Sequence, residues 1–177
     1  AFNAMLARGL GATPPMLRLV RRAVRLSRRL LSPRHLLLVG AALEHFAAVI
    51  SRTYLEHEAR WRFASAEARA LFATHAREEL AHRAVVFDLC AKAGQAGRVG
   101  RSLAILGVMV GALLYVGVAV PWIVYRKSGR RPLRALVTLA GFVALRGLRA
   151  VRLVRWRELF SFARADFHPG RCPGASA

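Results

Sequence analysis

Residues 75–82 read HAREELAH, and how this octapeptide is placed decides what fold the chain can adopt. On a helix turning by about 100° per residue, His75, Glu78, Glu79 and His82 share one face. The same stripe carries Leu71 and Phe72 before the octapeptide, then Val85, Val86 and Leu89 after it. Four ionisable groups thus interrupt what is otherwise a core-facing seam. Unpaired carboxylates are expensive to bury, so these must be exposed, paired or bound to a cation. Acids are scarce here: the 177 residues include 29 Lys+Arg, 9 Asp+Glu and 6 His, for a net charge of +20. Seven of the nine acids and four of the six histidines fall between Glu44 and Asp88.

Working outward, residues 36–50 read LLLVGAALEHFAAVI, where Glu44 and His45 are the only polar side chains. A glutamate in the middle of an apolar helix needs a partner, and the His/Glu stripe of 75–82 can supply one through a shared metal ion. Glu79 and His82 form an E-x-x-H, which sets a carboxylate and an imidazole one turn apart, converging on one point. Carboxylate-bridged dinuclear sites in four-helix bundles take one Glu from each of two helices and one E-x-x-H from each of the other two. Glu44 matches the single-Glu helix and Glu79/His82 the E-x-x-H helix, together half of such a site. E-x-x-H alone is common on solvated helices, and Glu78 or Glu79 paired with Arg83 would account for it; that alternative leaves Glu44 unexplained. The expected metal ligands are Glu44, His75, Glu79 and His82, with Glu78 and His75 available for proton handling. His45 and Asp88 are supporting positions, although a buried His such as His45 is more often a hydrogen-bonded core residue. Glu56, His57 and Glu58 end their helix and read as solvated.

The remainder of the chain also reads as helix, with no strand alternation and no hairpin turn signal. Thr13-Pro14-Pro15 opens a cationic amphipathic helix to Leu31, and Ser32-Pro33 opens a second to about Glu58. Ser65 caps a third that runs to about Ala93 and stops at Gly94. Residues 103–125 carry no charge and are long enough to span a hydrocarbon core of about 30 Å. Arg98 and Arg101 precede this run, and Arg126, Lys127, Arg130 and Arg131 follow it. A further helix after Pro132 continues into Arg146, Arg149, Arg152 and Arg155 beside Leu148, Val151, Leu153 and Trp156, a pattern suited to anionic lipid. Two cysteines, Cys90 and Cys172, form no CxxC and point to a reducing, cytosol-facing compartment. The expected organisation is a metal-site bundle portion over 1–94, a linker over 95–102, a hydrophobic and amphipathic helical pair over 103–158, and a tail over 159–177.

The motifs ALEHFAA (42–48), HAREELAHRAVVFDLC (75–90) and FHPG (167–170) resemble the bacterial family of predicted metal-dependent hydrolases. The likeness runs in order over roughly residues 33–170. It implies that the family's motif acids and histidines fall on Glu44, His45, His75, Glu78, Glu79, His82 and Asp88. Departures are Ala47 for a Thr, Ala81 for a third Glu, Thr74 for an aromatic residue, and a final FHPG without the acidic and His residues that follow in the family. The opening AFNAMLARGL resembles the family segment just after a QExxHxxEH motif. The expectation is therefore an N-terminally truncated member, whose missing helices would bring the other half of the site.

The fold class expected is all-α, a partial ferritin-like bundle followed by membrane-facing helices. The function expected is a membrane-associated metal-dependent hydrolase acting on an ester- or lipid-like substrate at the cytoplasmic membrane, its catalytic region facing the cytoplasm. A carboxylate-rich ligand set without Cys favours Fe or Mn over Zn, dinuclear in the intact protein. The same ligand set also suits an O2-activating oxidase, the first alternative; a non-enzymatic cationic membrane protein is the second. Anionic lipid is the expected partner. Nucleic acid is not, because the charge comes with no helix-turn-helix, RNP-like strand or zinc finger.

Overall fold

A computed structural model describes residues 15–57, 65–94, 97–142 and 148–171, and every regular element among them is helical. In chain order these are α1 (Pro15–Leu30), α2 (Pro33–Glu56), α3 (Ala66–His82), α4 (Val85–Lys92), α5 (Arg98–Lys127), α6 (Pro132–Phe142), α7 (Leu148–Leu153) and α8 (Trp156–Ser161), then a 3-10 turn at Pro169–Arg171. The chain is all-α, as the periodicity predicts. Two of the expected helix starts are seen directly: Ser32 Oγ accepts from the His35 amide at 3.4 Å, and Ser65 Oγ from the Ala68 amide at 3.2 Å. Gly94 ends the α4 segment with φ +89°, a left-handed conformation that costs glycine nothing.

The chain forms two compact units. The first holds α2, α3, α4, the start of α5 as far as Met109, and the segment from Leu153 onward. Here α2 packs against α3, α4 and α8. Its core joins Leu38, Ala41, Ala42 and Val49 of α2 to Phe87 and Cys90 of α4, Ala104 and Ile105 of α5, and Leu159, Phe162 and Phe167. Gly40 lets α4 approach closely, since a Cβ there would stand 3.3 Å from Val86 Cγ1. The second unit holds α1, α5 from Val110, α6 and α7. It leaves Val110, Leu113, Leu114, Val116, Leu133, Leu136 and Val137 exposed.

The structure departs from these expectations at several points. The helix expected over 65–93 bends at Arg83-Ala84, where Arg83 Nε donates to the Pro169 carbonyl at 3.2 Å; beyond it Phe87 and Cys90 enter the core. The expected linker over 95–102 is in part the first turn of α5, and Arg101 is buried, donating to the Arg164 carbonyl at 2.9 Å and lying over the Phe87 ring at 5.3 Å. The long helix after Pro132 is broken at Val154-Arg155, between α7 and α8, and Arg146 lies outside the described residues. Arg155, expected to face lipid, instead holds Glu56 and Glu158 at 2.8 and 2.7 Å. The segment expected as tail from 159 supplies Leu159, Phe162, Phe167 and Pro169 to the interior, because its aromatic residues find a cleft along α2 and α4. Burying one such Phe side chain stabilises by roughly 1.5–3 kcal/mol. Glu58 and Cys172 lie outside the described residues.

Candidate metal centre

Glu44 lies near the middle of α2, on the side that meets α3. Its carboxyl is held above the ordinary range first by burial, then by repulsion from Glu79, while His82 pulls it back down. Glu79 and His82 of α3 thus both act on Glu44 of α2. Repulsion between two carboxylates is relieved by a proton or by a cation.

The rest of the stripe faces water. His75 and Glu78 are exposed at 62% and 63% of their side chains, whereas Glu79 is at 25%. His75 Nε2 stands 3.4 Å from Glu79 Oε1, and its Nδ1 stands 3.8 Å from Glu78 Oε2. Pairs this exposed contribute little to stability, on the order of 0–1 kcal/mol. His82 is also exposed. Among the described residues no three His, Cys, Asp or Glu side chains come close enough together to enclose one ion. Glu79 and His82 act on Glu44 electrostatically, and His75 stands beside Glu79.

His45 and Asp88 have other partners. His45 is buried, and its Nε2–H donates to the carbonyls of Glu158 at 3.0 Å and Leu159 at 3.2 Å. Its ring stacks on Phe162 at 5.5 Å and meets Phe167 edge-on at 4.8 Å. Burial depresses its pKa and the two carbonyls offset this only in part, so the imidazole is kept neutral. It is a core residue that fastens α8 to α2. Asp88 Oδ1 accepts from His168 Nε2 at 2.9 Å, and His168 Nδ1 accepts the Gly170 amide at 3.0 Å. Both His168 nitrogens are engaged, so the Asp88–His168 pair ties the FHPG turn to α4.

Sequence reasoning assigned no part to His168, Arg52 or Glu158. Arg52, nearly buried on α2, donates to Glu158 Oε1 at 2.8 Å, and Arg155 bridges Glu158 to Glu56. The only signal for these was the FHPG motif and the isolated Glu158 in a basic stretch.

Residues 1–172 match the family model described as predicted metal-dependent hydrolase. No curated protein and no solved structure gives a match. With nearly the whole chain covered, the chain belongs to this family.

Proposed function

Starting from membership of the predicted metal-dependent hydrolases, we propose that Glu44, Glu79 and His82 supply part of the ligand set for a divalent ion in a hydrolase that works at the cytoplasmic membrane on an ester- or lipid-like substrate. The observation that carries this reading is that Glu44 of α2, in the helix packed on α3, is acted on by burial first and then by Glu79 and His82 of α3, which leaves its carboxyl raised above the ordinary range. A carboxylate-rich set with one imidazole and no thiolate suits Fe or Mn better than Zn. The sole described cysteine, Cys90, is buried in the core with its thiol pushed up by burial, so it offers no competing ligand. An ion at this place supplies Lewis acidity toward a carbonyl or phosphoryl oxygen. His75 orients the Glu79 carboxylate, and Glu78, exposed at the rim, can exchange a proton with solvent. A dinuclear centre needs a second Glu and E-x-x-H set facing this one. The same donor chemistry supports oxidation of a lipid-like substrate as the second reading.

Membrane placement is supported by α5, whose apolar window has a mean hydropathy of 2.5 and is 22% buried. The chain leaves the first unit at Val110 and returns to it at Leu153. The basic residues on both sides of this apolar run, Arg98 and Arg101 before it and Arg126, Lys127, Arg130 and Arg131 after it, support docking at an anionic membrane face.

The test is elemental analysis of the full chain expressed with iron and manganese supplied. Wild type should carry the metal, Glu44→Gln and Glu79→Gln should each abolish uptake, and His75→Ala should weaken it about tenfold. A metal-free wild type, or uptake untouched by Glu79→Gln, rejects the assignment.

A further inference from the structure

The nine acidic residues are not shared between the two units: all of them lie in the unit built on α2, and the unit formed by α1, the far part of α5, α6 and α7 contains no Asp or Glu. Within that acid-free unit α1 has a further asymmetry. Arg18, Arg21, Arg22, Arg25, Arg28 and Arg29 fall within an arc of about 120° around the helix, at about 100° per residue. Leu17, Val20, Ala23, Val24 and Leu30 occupy the arc opposite. All six arginines are exposed, and none takes part in an ion pair among the described residues. Val20, Val24 and Leu30 are exposed as well, at 40%, 53% and 71%.

Arginines three and four apart on one face repel one another, and no acid in the unit relieves them. A soluble anion would satisfy the charge and leave the apolar arc in water. A bilayer with anionic headgroups satisfies both arcs at once: guanidinium forks at the phosphates and short aliphatic side chains at the acyl boundary. The exposed aliphatic residues of α5 and α6 in the same unit share this preference.

We propose that α1 lies in the plane of an anionic bilayer and makes the docking of this protein selective for negatively charged lipid. The proposal rests on the membrane placement given above and is independent of the metal assignment. Removing three of the arginines removes three headgroup interactions, each contributing about a fivefold factor in affinity, so the loss is about a hundredfold.

The experiment transfers the full chain from detergent to vesicles of phosphatidylcholine alone or phosphatidylcholine with about one third phosphatidylglycerol, and measures binding by flotation. Wild type is expected to favour the anionic vesicles strongly at low salt, with the preference fading at high salt. Arg21→Gln/Arg25→Gln/Arg28→Gln should lose about a hundredfold on anionic vesicles and nothing on neutral ones. Val24→Asp should weaken binding to the anionic vesicles by removing the apolar contact. Equal binding of wild type to both vesicles overturns the role of α1 and leaves docking through α5 standing. No binding to either overturns the membrane placement too. Duplex DNA that displaces the protein from anionic vesicles, with the same dependence on the three arginines, also overturns it in favour of nucleic acid.

Discussion

Glu44 and His45 are neighbours on α2, and burial acts on them in opposite directions because it disfavours whichever form is charged. The Glu44 carboxyl is raised from 4.5, so the folded chain holds a proton there that the unfolded chain has already released. Stability is therefore lost as pH rises above that value. In the metal-free protein, Glu44→Gln should raise the melting temperature at pH 7 and make no difference at pH 4, a gain of under about 1 kcal/mol because the site is half open to water. A variant that melts below wild type at pH 7 would mean that the carboxylate is already compensated by the protein alone. His45 has the opposite sign: its pKa is depressed from 6.5, so its contribution is present above that value and lost as pH falls below it. His45→Phe should cost about 1–3 kcal/mol through the two unpaired carbonyls. It should also flatten the decline in stability between pH 7 and 5, read by urea unfolding at each pH.

At the scale of elements, the short α8 is held by side chains more than by its own length, since six residues make a marginal helix. Arg52 and Glu158 are nearly buried at 9% and 12% of their side chains, while Glu56 is at 39%. Breaking one half of a buried pair leaves an uncompensated charge. Glu158→Gln should therefore cost about 3 kcal/mol, and Glu56→Gln under about 1 kcal/mol. Urea unfolding and hydrogen exchange over 156–171 measure the difference; equal costs would show that burial adds nothing to the Arg52–Glu158 pair. Much of the element plan was legible: Ser32-Pro33, Ser65 and Gly94 mark boundaries by local chemistry that acts wherever the chain goes. The bend at Arg83-Ala84 was not, for no Gly or Pro announces it; the pull of Phe87 toward Phe162 and Phe167, at 6.2 and 5.5 Å, is tertiary. The aromatic segment from Leu159 to Phe167 was misread for the same reason. Its residues follow neither helical nor strand period, so their burial comes only from the cleft they fill.

Across the whole molecule, the partition of acids separates two kinds of chemistry along one chain. Carboxylates and the His75–His82 stripe belong to the α2 unit, and the charges of the other unit are all cationic. The sequence displayed the clustering of Glu44 with the octapeptide, and the fold accounts for it in part: Glu79 and His82 act on Glu44, whereas His45 is consumed by the core and Asp88 by His168. Spacing along a helix can show which residues share a face, but a face does not reveal which partner already occupies it. If the partition is functional, metal uptake and lipid docking should be additive, because effects at sites without shared partners usually sum to within about 0.5 kcal/mol. Glu79→Gln should then leave flotation on anionic vesicles unchanged, and Arg21→Gln/Arg25→Gln/Arg28→Gln should leave metal content unchanged. The double variant should show both losses at their single-variant size. A coupling larger than about 1 kcal/mol, or roughly fivefold in either binding constant, would mean that lipid contact rearranges the α2–α3 contact and that the two units act as one.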